Sequence, residues 1–378
     1  MLNRGLRQSL FVLVLALHLI VLSTYTILRY QRSTPTETYP DHILTEADPF
    51  AKPLSPGPLP ASLIEKSERL LLNQNYKRFN KQQKSADKKY ILPRVPCPLL
   101  PPNLVGRVTA DLFSYEMHEV EEHLANSSIQ LGGHWSPPHC TAHYRVAIII
   151  PYRNRDMQLR IFLNFMHPFL QKQQIDYQIY LVEPIEKIKF NRALLFNIGF
   201  REALKEYPWQ CFIFHDVDLI PEDDRNIYSC PPEPRHMSVS VNTFNYQLPY
   251  RGIFGGVSAM TIKQMEAVNG FSNQYFGWGG EDDDMSARVI TKYRISRYPA
   301  SIGRYRMLRH RPDTPNSNRF TFLHLGTGLM NHDGLSNLQY DVVSIDKKKL
   351  FTHILVNYNE TLIKASVADL VKKKKKPH

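Results

Sequence analysis

The sequence predicts an α/β head built on a largely parallel sheet, carried behind a transmembrane helix and a flexible stem. Three observations carry this. Apolar runs that end in polar turns recur three times from residue 144 onward, segments with apolar residues at helical spacing separate them, and an uncharged amino-terminal stretch precedes a polar, proline-rich tract.

The uncharged stretch, "LFVLVLALHLIVLSTYTIL" (Leu10 to Leu28), holds 19 residues without Asp, Glu, Lys or Arg. At about 1.5 Å per residue, a helix of that length crosses a hydrocarbon layer of roughly 30 Å. A cleaved signal peptide is the alternative. Such peptides have apolar cores of about 7 to 15 residues and a small-residue cleavage site, which "TYTILRYQRS" lacks. A retained anchor behind a cytosolic tail of residues 1–9 is the preferred reading.

Arg4 and Arg7 before the span balance Arg29 and Arg32 after it, so charge does not orient the chain. The sequons at Asn126 ("NSS") and Asn359 ("NET") do, as does an even set of cysteines, Cys97, Cys140, Cys211 and Cys230, without CxxC metal spacing. Disulfides in an oxidising compartment explain that set, with buried free thiols as the alternative.

Residues 29–94 include "TPTETYP", "AKPLSPGPLPASL" and the basic "YKRFNKQQKSADKKY". Such composition cannot bury enough apolar area to offset chain entropy, so it reads as the stem. A catalytic domain over 95–360 and a basic tail over 361–378 follow. The chain has 378 residues, 43% of them hydrophobic, enough for one or two cores. Its net charge of +12 suggests an anionic partner. The terminal "KKKKKPH", however, has no interleaved aromatics and reads as a solvated tail, so nucleic acid is not expected.

Within the head, "YRVAIIIPYRNR" (144–155), "DYQIYLVEP" (176–184) and "QCFIFHDVDLIP" (210–221) read as strands buried on both faces. "DMQLRIFLNFMHPFLQKQQ" and "NRALLFNIGFREALKEY" between them read as helices. The alternation implies a parallel sheet whose ligand lies beyond the carboxyl ends of the strands. That rule singles out "PYRNR", "KFNRA" and "HDVDLIPEDD".

Asp216 and Asp218, two apart at a strand end, suit a hard divalent cation if both project to one face. The bland alternative is one turn cap and one solvated carboxylate. Arg153, Arg155 and Arg192 follow neighbouring strands, and guanidinium groups grip phosphate oxygens in pairs. A cation held by Asp among arginines suits a nucleoside diphosphate. In "FGWGGEDDDM" four consecutive carboxylates follow Trp278 and two glycines. A helix start stabilises one or two of them through its dipole, while the rest need a cationic or hydrogen-bonding partner.

Taken in order, "PYRNR", "KFNRA", "DVDLIPEDDRNIY", "LPYRGIFGGVSAM", "GFSNQYFGWGGEDDDM" and "RMLRH" resemble the animal β1,4-galactosyltransferase family, glycosyltransferase family 7, over roughly residues 97 to 358. The resemblance implies a Rossmann-like GT-A nucleotide-sugar fold in a single-pass type II Golgi membrane protein with a lumenal head. It implies Mn2+-dependent inverting transfer from a UDP-sugar to the terminal GlcNAc of a glycoprotein or glycolipid. It assigns Mn2+ to Asp218, Met307 and His310, although "RMLRH" alone reads as a core methionine and a surface histidine. Pro151, Arg153, Arg155, Phe190, Arg192 and Asp216 match donor-binding positions, with Trp278 as an apolar wall.

Asp282 matches the base that takes the acceptor proton. Gly280, Glu281, Asp283 and Tyr250 match sugar-contacting positions, and Arg319, Phe320 and Leu323 the pocket for the acceptor's N-acetyl group. The glycines beside Trp278 match a hinge that lets a lid close over the donor. The matching cysteines imply the pairs Cys97 with Cys140 and Cys211 with Cys230. At Ile253 the resemblance sets a tyrosine in the vertebrate members, and the invertebrate members with Ile or Leu there prefer UDP-GalNAc. The expected product is therefore GalNAcβ1,4GlcNAc, with galactosyl transfer as the alternative; the bland alternative is that Ile253 is ordinary packing and other residues set the donor. A glycan-binding homologue without turnover is a remote alternative, which the presence of Asp218, His310 and Asp282 opposes.

Overall fold

The computed structural model describes residues 94–311 and 314–375, so the expected anchor and stem lie outside the described residues. The three apolar runs form β1 (Arg145–Pro151), β2 (Asp176–Pro184) and β3 (Cys211–His215). All are parallel, with β1 in the middle and Ile148 opposite both Ile179 and Ile213. A short α1 (Met117–His123) comes first, and α2 (Asp156–Lys172) and α3 (Arg192–Glu206) are the crossover helices. The strand–helix–strand reading is therefore what the chain adopts.

β1 is buried on both faces because its side chains alternate between two cores. Val146, Ile148 and Ile150 pack with Phe162, Leu163 and Met166 of α2 on one side. Ala147 and Ile149 pack with Leu194, Phe196 and Ile198 of α3 on the other. Each such side chain contributes about 1.5 to 3 kcal/mol relative to exposure. The side chain of Asn191 starts α3 by accepting the N–H of Leu194 at 3.0 Å.

The remaining strands carry no comparable apolar run. They are β4 (Leu219–Pro221), β5 (Arg235–His236), β6 (Ser240–Val241), β7 (Val257–Thr261), β8 (Ser296–Arg297), β9 (Arg304–Met307), β10 (Asp341–Lys347) and β11 (Thr352–Asn357). Among the described residues the main sheet runs β10-β11-β2-β1-β3-β7-β5-β8, and β4-β9-β6 form a second one. β11 joins β2 in parallel, whereas β7 joins β3 antiparallel. "QCFIFHDVDLIP" is thus not one strand. It breaks after His215, where Asp216 N–H donates to the Gly256 carbonyl at 3.1 Å and Leu219 N–H closes a turn onto Asp216 at 3.2 Å. Asp216 and Asp218 sit in the corner between two sheets.

Helices α4 (Ile262–Ala267), α5 (Glu281–Ile290), α6 (Arg319–Leu325), α7 (Glu360–Ala365) and α8 (Ala368–Lys375) follow. The expected tail boundary at residue 361 falls inside α7. Ile363 and Val367 are buried, so packing against the head continues past it. Asn126 and Asn359 are both exposed. The side-chain oxygen of Asn359 caps α7 at Thr361 and Leu362 N–H, leaving its nitrogen uninvolved in the cap.

Cys97 pairs with Cys140 and Cys211 with Cys230, at Cα separations of 4.8 and 5.4 Å. That accounts for all four cysteines and removes the free-thiol alternative. The pairs enclose sequence separations of 43 and 19 residues. Loop closure at those lengths is worth roughly 3 to 4 kcal/mol each.

Candidate active site

The four carboxylates of α5 are aimed by the chain before them. Gly277, Gly279 and Gly280 have φ of 95°, 99° and 94°, a left-handed conformation that side chains resist and glycine adopts freely. Each carboxylate then meets a different environment. Asp284 points inward, where Arg288 Nε donates to its Oδ2 at 2.6 Å. Arg288 also donates to Asp333 and to the carbonyl of Gly270, bracing the helix against the segment behind it. Asp283 accepts the Tyr250 hydroxyl at 2.6 Å. Glu281 accepts from Arg192 at 3.3 Å through Oε1, while its Oε2 is buried without a partner.

Asp282 is half-buried, and among the described residues its carboxylate accepts one hydrogen bond, from Asp283 N–H at 3.0 Å. Burial raises its pKa, with Arg192 opposing and Asp283 adding to the rise. A carboxylate made more basic and left largely unpaired is suited to take a proton. Gly255 lies against it so closely that a Cβ there would be 2.3 Å from Asp282 Oδ2.

Arg192 binds this cluster together. Its Nε donates to Asp216 Oδ1 at 2.6 Å, its Nη2 to the Gly256 carbonyl at 3.4 Å, and its guanidinium lies 4.6 Å from the Phe196 ring centre. It therefore ties the corner after β3 to the start of α5. Burial outweighs its attraction, pushing Asp216 up to about 6 and Glu281 up to about 7. A second cation or polar ligand entering here would be met by carboxylates short of solvation.

Pairing of β4 with β9 sets Leu219 opposite Met307, and Leu308 N–H donates to the Asp218 carbonyl at 2.7 Å. His310 follows, with Nε2 2.9 Å from Asp218 Oδ2. That hydrogen bond raises the imidazole to about 9. Asp218, Met307 and His310 are thus neighbours although nearly 90 residues separate the first from the others in sequence. Among the described residues no group of three His, Cys, Asp or Glu side chains is placed for a metal. The set here has one carboxylate and one imidazole, both suited to Mn2+, plus a soft thioether, and it leaves room for oxygen ligands from a diphosphate. The residues fit such a cation.

At the edge beyond β1 and β2, Pro151 closes its strand opposite Val182. Arg153 donates to the carbonyls of Ile188 and Ile185 at 2.7 and 3.2 Å and sits 5.6 Å from the Phe190 ring centre, its Nε buried without a partner. Arg155 donates to the Arg311 carbonyl at 3.3 Å, which links this edge to the chain after His310. On the far side, Trp278 is 59% exposed and Phe320 69%, with the Arg319 guanidinium between them at 5.8 and 4.7 Å from their rings. Two open aromatic faces suit the apolar face of a sugar better than a closed wall. Leu323 of α6 is half-buried beside Gly280, within contact distance of where a Cβ there would lie.

The structure therefore brings Arg192, Asp216, Glu281 and Asp282 into one charged cluster. Asp218, Met307 and His310 form a second group, and Trp278, Arg319 and Phe320 an outer one. Gly255, Arg288 and Asp333 are parts of the site that sequence reasoning missed. The glycine pair in "GIFGG" was a signal for the first; the buried Arg288 pair had none.

Comparison with known proteins gives the family. The family description "N-terminal region of glycosyl transferase group 7" matches residues 97–231, and "N-terminal domain of galactosyltransferase" matches residues 235–311. The chain is 43% identical to β1,4-galactosyltransferase 2 of Mus musculus over 272 residues, covering 71% of this chain and 73% of that one. To β1,4-galactosyltransferase 1 of Mus musculus it is 47% identical over 267 residues, 69% and 66% of the two chains. The catalytic domain of Drosophila β1,4-galactosyltransferase 7 in complex with xylobiose superposes with a TM-score of 0.50 at 25% identity, covering 57% of this chain and 94% of that one. A mutant of that enzyme, solved with manganese, UDP-Gal and xylobiose, matches with the same TM-score at 24% identity.

The α/β head with its carboxylate corner, together with the matched family descriptions, places the chain among the glycosyltransferases. The chain belongs to the β1,4-galactosyltransferase family, glycosyltransferase family 7.

Proposed function

We propose that the chain is an inverting, Mn2+-dependent β1,4-hexosyltransferase that moves a sugar from a UDP-hexose to a terminal GlcNAc, in the lumen of the Golgi, from a single-pass type II anchor. The observation that carries the chemistry is Asp282: half-buried, raised in pKa by that burial against the pull of Arg192, and accepting among the described residues one hydrogen bond, from Asp283 N–H. It takes the proton from the acceptor hydroxyl as that oxygen attacks the anomeric carbon, so no covalent intermediate forms. Glu281, with a buried unpaired oxygen, accepts a sugar hydroxyl. Arg192 keeps Asp216 and Glu281 in place while the donor binds. Asp218, Met307 and His310 would hold the cation, whose chemistry when bound is to offset charge on the departing diphosphate. The manganese and UDP-Gal in the complex of the fly enzyme mutant support a need for Mn2+, while the choice of these three residues rests on their proximity. Two disulfides support a lumenal head.

The names of the relatives support galactose as the sugar transferred, the better-backed reading. One residue favours N-acetylgalactosamine instead: Ile253, half-buried on the loop that carries Tyr250 and Gly255, has no hydroxyl and stands where the family resemblance puts a tyrosine against the donor's 2-position. The test is turnover of the full chain in detergent with Mn2+, a GlcNAc-terminated acceptor and either UDP-Gal or UDP-GalNAc. Asp282→Asn is expected to lower kcat by about 10²- to 10⁴-fold. Faster use of UDP-GalNAc, reversed by Ile253→Tyr, selects the second reading, and preference for UDP-Gal sinks it. Chelation of Mn2+ without loss of activity would overturn the metal assignment.

A further inference from the structure

The segment from Tyr250 to Gly256 forms one wall of the site, for Tyr250 holds Asp283, Gly255 touches Asp282, and Gly256 receives Asp216 and Arg192. Its own position is fixed from behind. Arg297, on β8, donates through Nη2 to the carbonyls of Arg251 and Ile253 at 2.8 and 2.7 Å. The register of β8 on β5 sets Arg297 opposite His236, and Arg297 Nε lies 3.1 Å from His236 Nδ1. A guanidinium only donates, so Nδ1 accepts and the ring proton is on Nε2. Nε2 then donates to the Gly255 carbonyl at 3.1 Å, which also receives the Ser238 hydroxyl at 3.0 Å.

No carboxylate pairs with Arg297 among the described residues. A partly buried cation is costly unless its donors are used, and here loop carbonyls and one imidazole use them. A lysine carries its three donors on one nitrogen, whereas the planar fork serves the imidazole from Nε and the two carbonyls from Nη2.

We propose that Arg297 is a positioning residue that sets donor choice, holding the Ile253 backbone directly and Gly255 through His236, so that the Ile253 wall keeps a fixed distance from Asp282. The proposal rests on the hexosyl-transfer reading above. On that reading the Ile253 wall lies against the donor's 2-position, so relaxing the loop changes two donors unequally because they differ only there. A purely structural arginine would weaken both alike.

The experiment compares the wild-type full chain with Arg297→Met and Arg297→Lys, in detergent with Mn2+. It measures kcat/KM for UDP-Gal and UDP-GalNAc, the Kd of each donor by calorimetry, and Tm. Arg297→Met is expected to shift the ratio of the two kcat/KM values at least fivefold, with Arg297→Lys between it and the wild type. Equal losses for both donors, at an unchanged ratio, overturn the proposal. Should Arg297→Met not fold, His236→Gln and Arg297→Lys carry the same comparison. A wild type that binds donors without transferring them refutes the transfer reading, and the ratio of the two Kd values then decides on Arg297. A wild type that binds neither donor overturns both.

Discussion

Replacing Gly255 by alanine tests the placement of Asp282 without touching Asp282. Gly255 has no left-handed φ, so the backbone accepts alanine and the cost falls on the contact alone. The added Cβ would be 2.3 Å from Asp282 Oδ2 and 3.2 Å from its Cγ. Relief to ordinary contact requires a carboxylate shift of about 1 Å. A displacement of that size costs on the order of 10² in rate, or about 2.7 kcal/mol of barrier. The assay is initial rate against donor and acceptor concentration, with Tm as control. Gly252→Ala is the comparison, since its Cβ would meet nothing closer than Tyr250 Cδ2 at 3.8 Å. The expected result is a large fall in kcat for Gly255→Ala, near-normal Tm, and little effect from Gly252→Ala. Activity within twofold of the wild type for Gly255→Ala would refute Asp282 as the group whose position limits turnover.

Further outcomes concern stability. Glu281 has its pKa raised from 4.5 to about 7 by burial first and by Asp282 second. The folded state therefore binds its proton more tightly than the unfolded state, and this contribution is full below pH 4.5 and lost as pH rises through about 7. Melting curves at pH 5 and 7.5 should show Glu281→Gln losing less stability over that interval than the wild type; parallel losses contradict the shift. Arg288→Met strands the buried carboxylates of Asp284 and Asp333, and denaturant unfolding should reveal a loss of about 3 to 5 kcal/mol. A loss below about 1 kcal/mol would show that these carboxylates find water or protons instead.

The sequence by itself determined the parallel centre of the sheet. "AIIIP", "DYQIYLVEP" and "CFIFH" are short, largely apolar runs separated by segments of helical spacing, a pattern that reads as strands covered by helices on both sides. It also determined the acidic helix start, because "GWGGEDDDM" joins permissive glycines to a first turn that favours carboxylates. Motif resemblance supplied the family and named Met307 and His310, which no local pattern would have chosen. Tertiary structure alone decided the rest. The two-residue strands β5 and β8 have no period to read, yet their register brings His236 to Arg297. The break of the third apolar run after His215 follows from the Gly256 carbonyl, 40 residues later in sequence. The division of four adjacent carboxylates, with Glu281 on Arg192, Asp283 on Tyr250, Asp284 on Arg288 and Asp282 almost unpaired, likewise depends on how distant segments pack around the helix start. Burial and charge pairing are properties of what surrounds a residue, and in this chain those surroundings are assembled only when the two sheets meet.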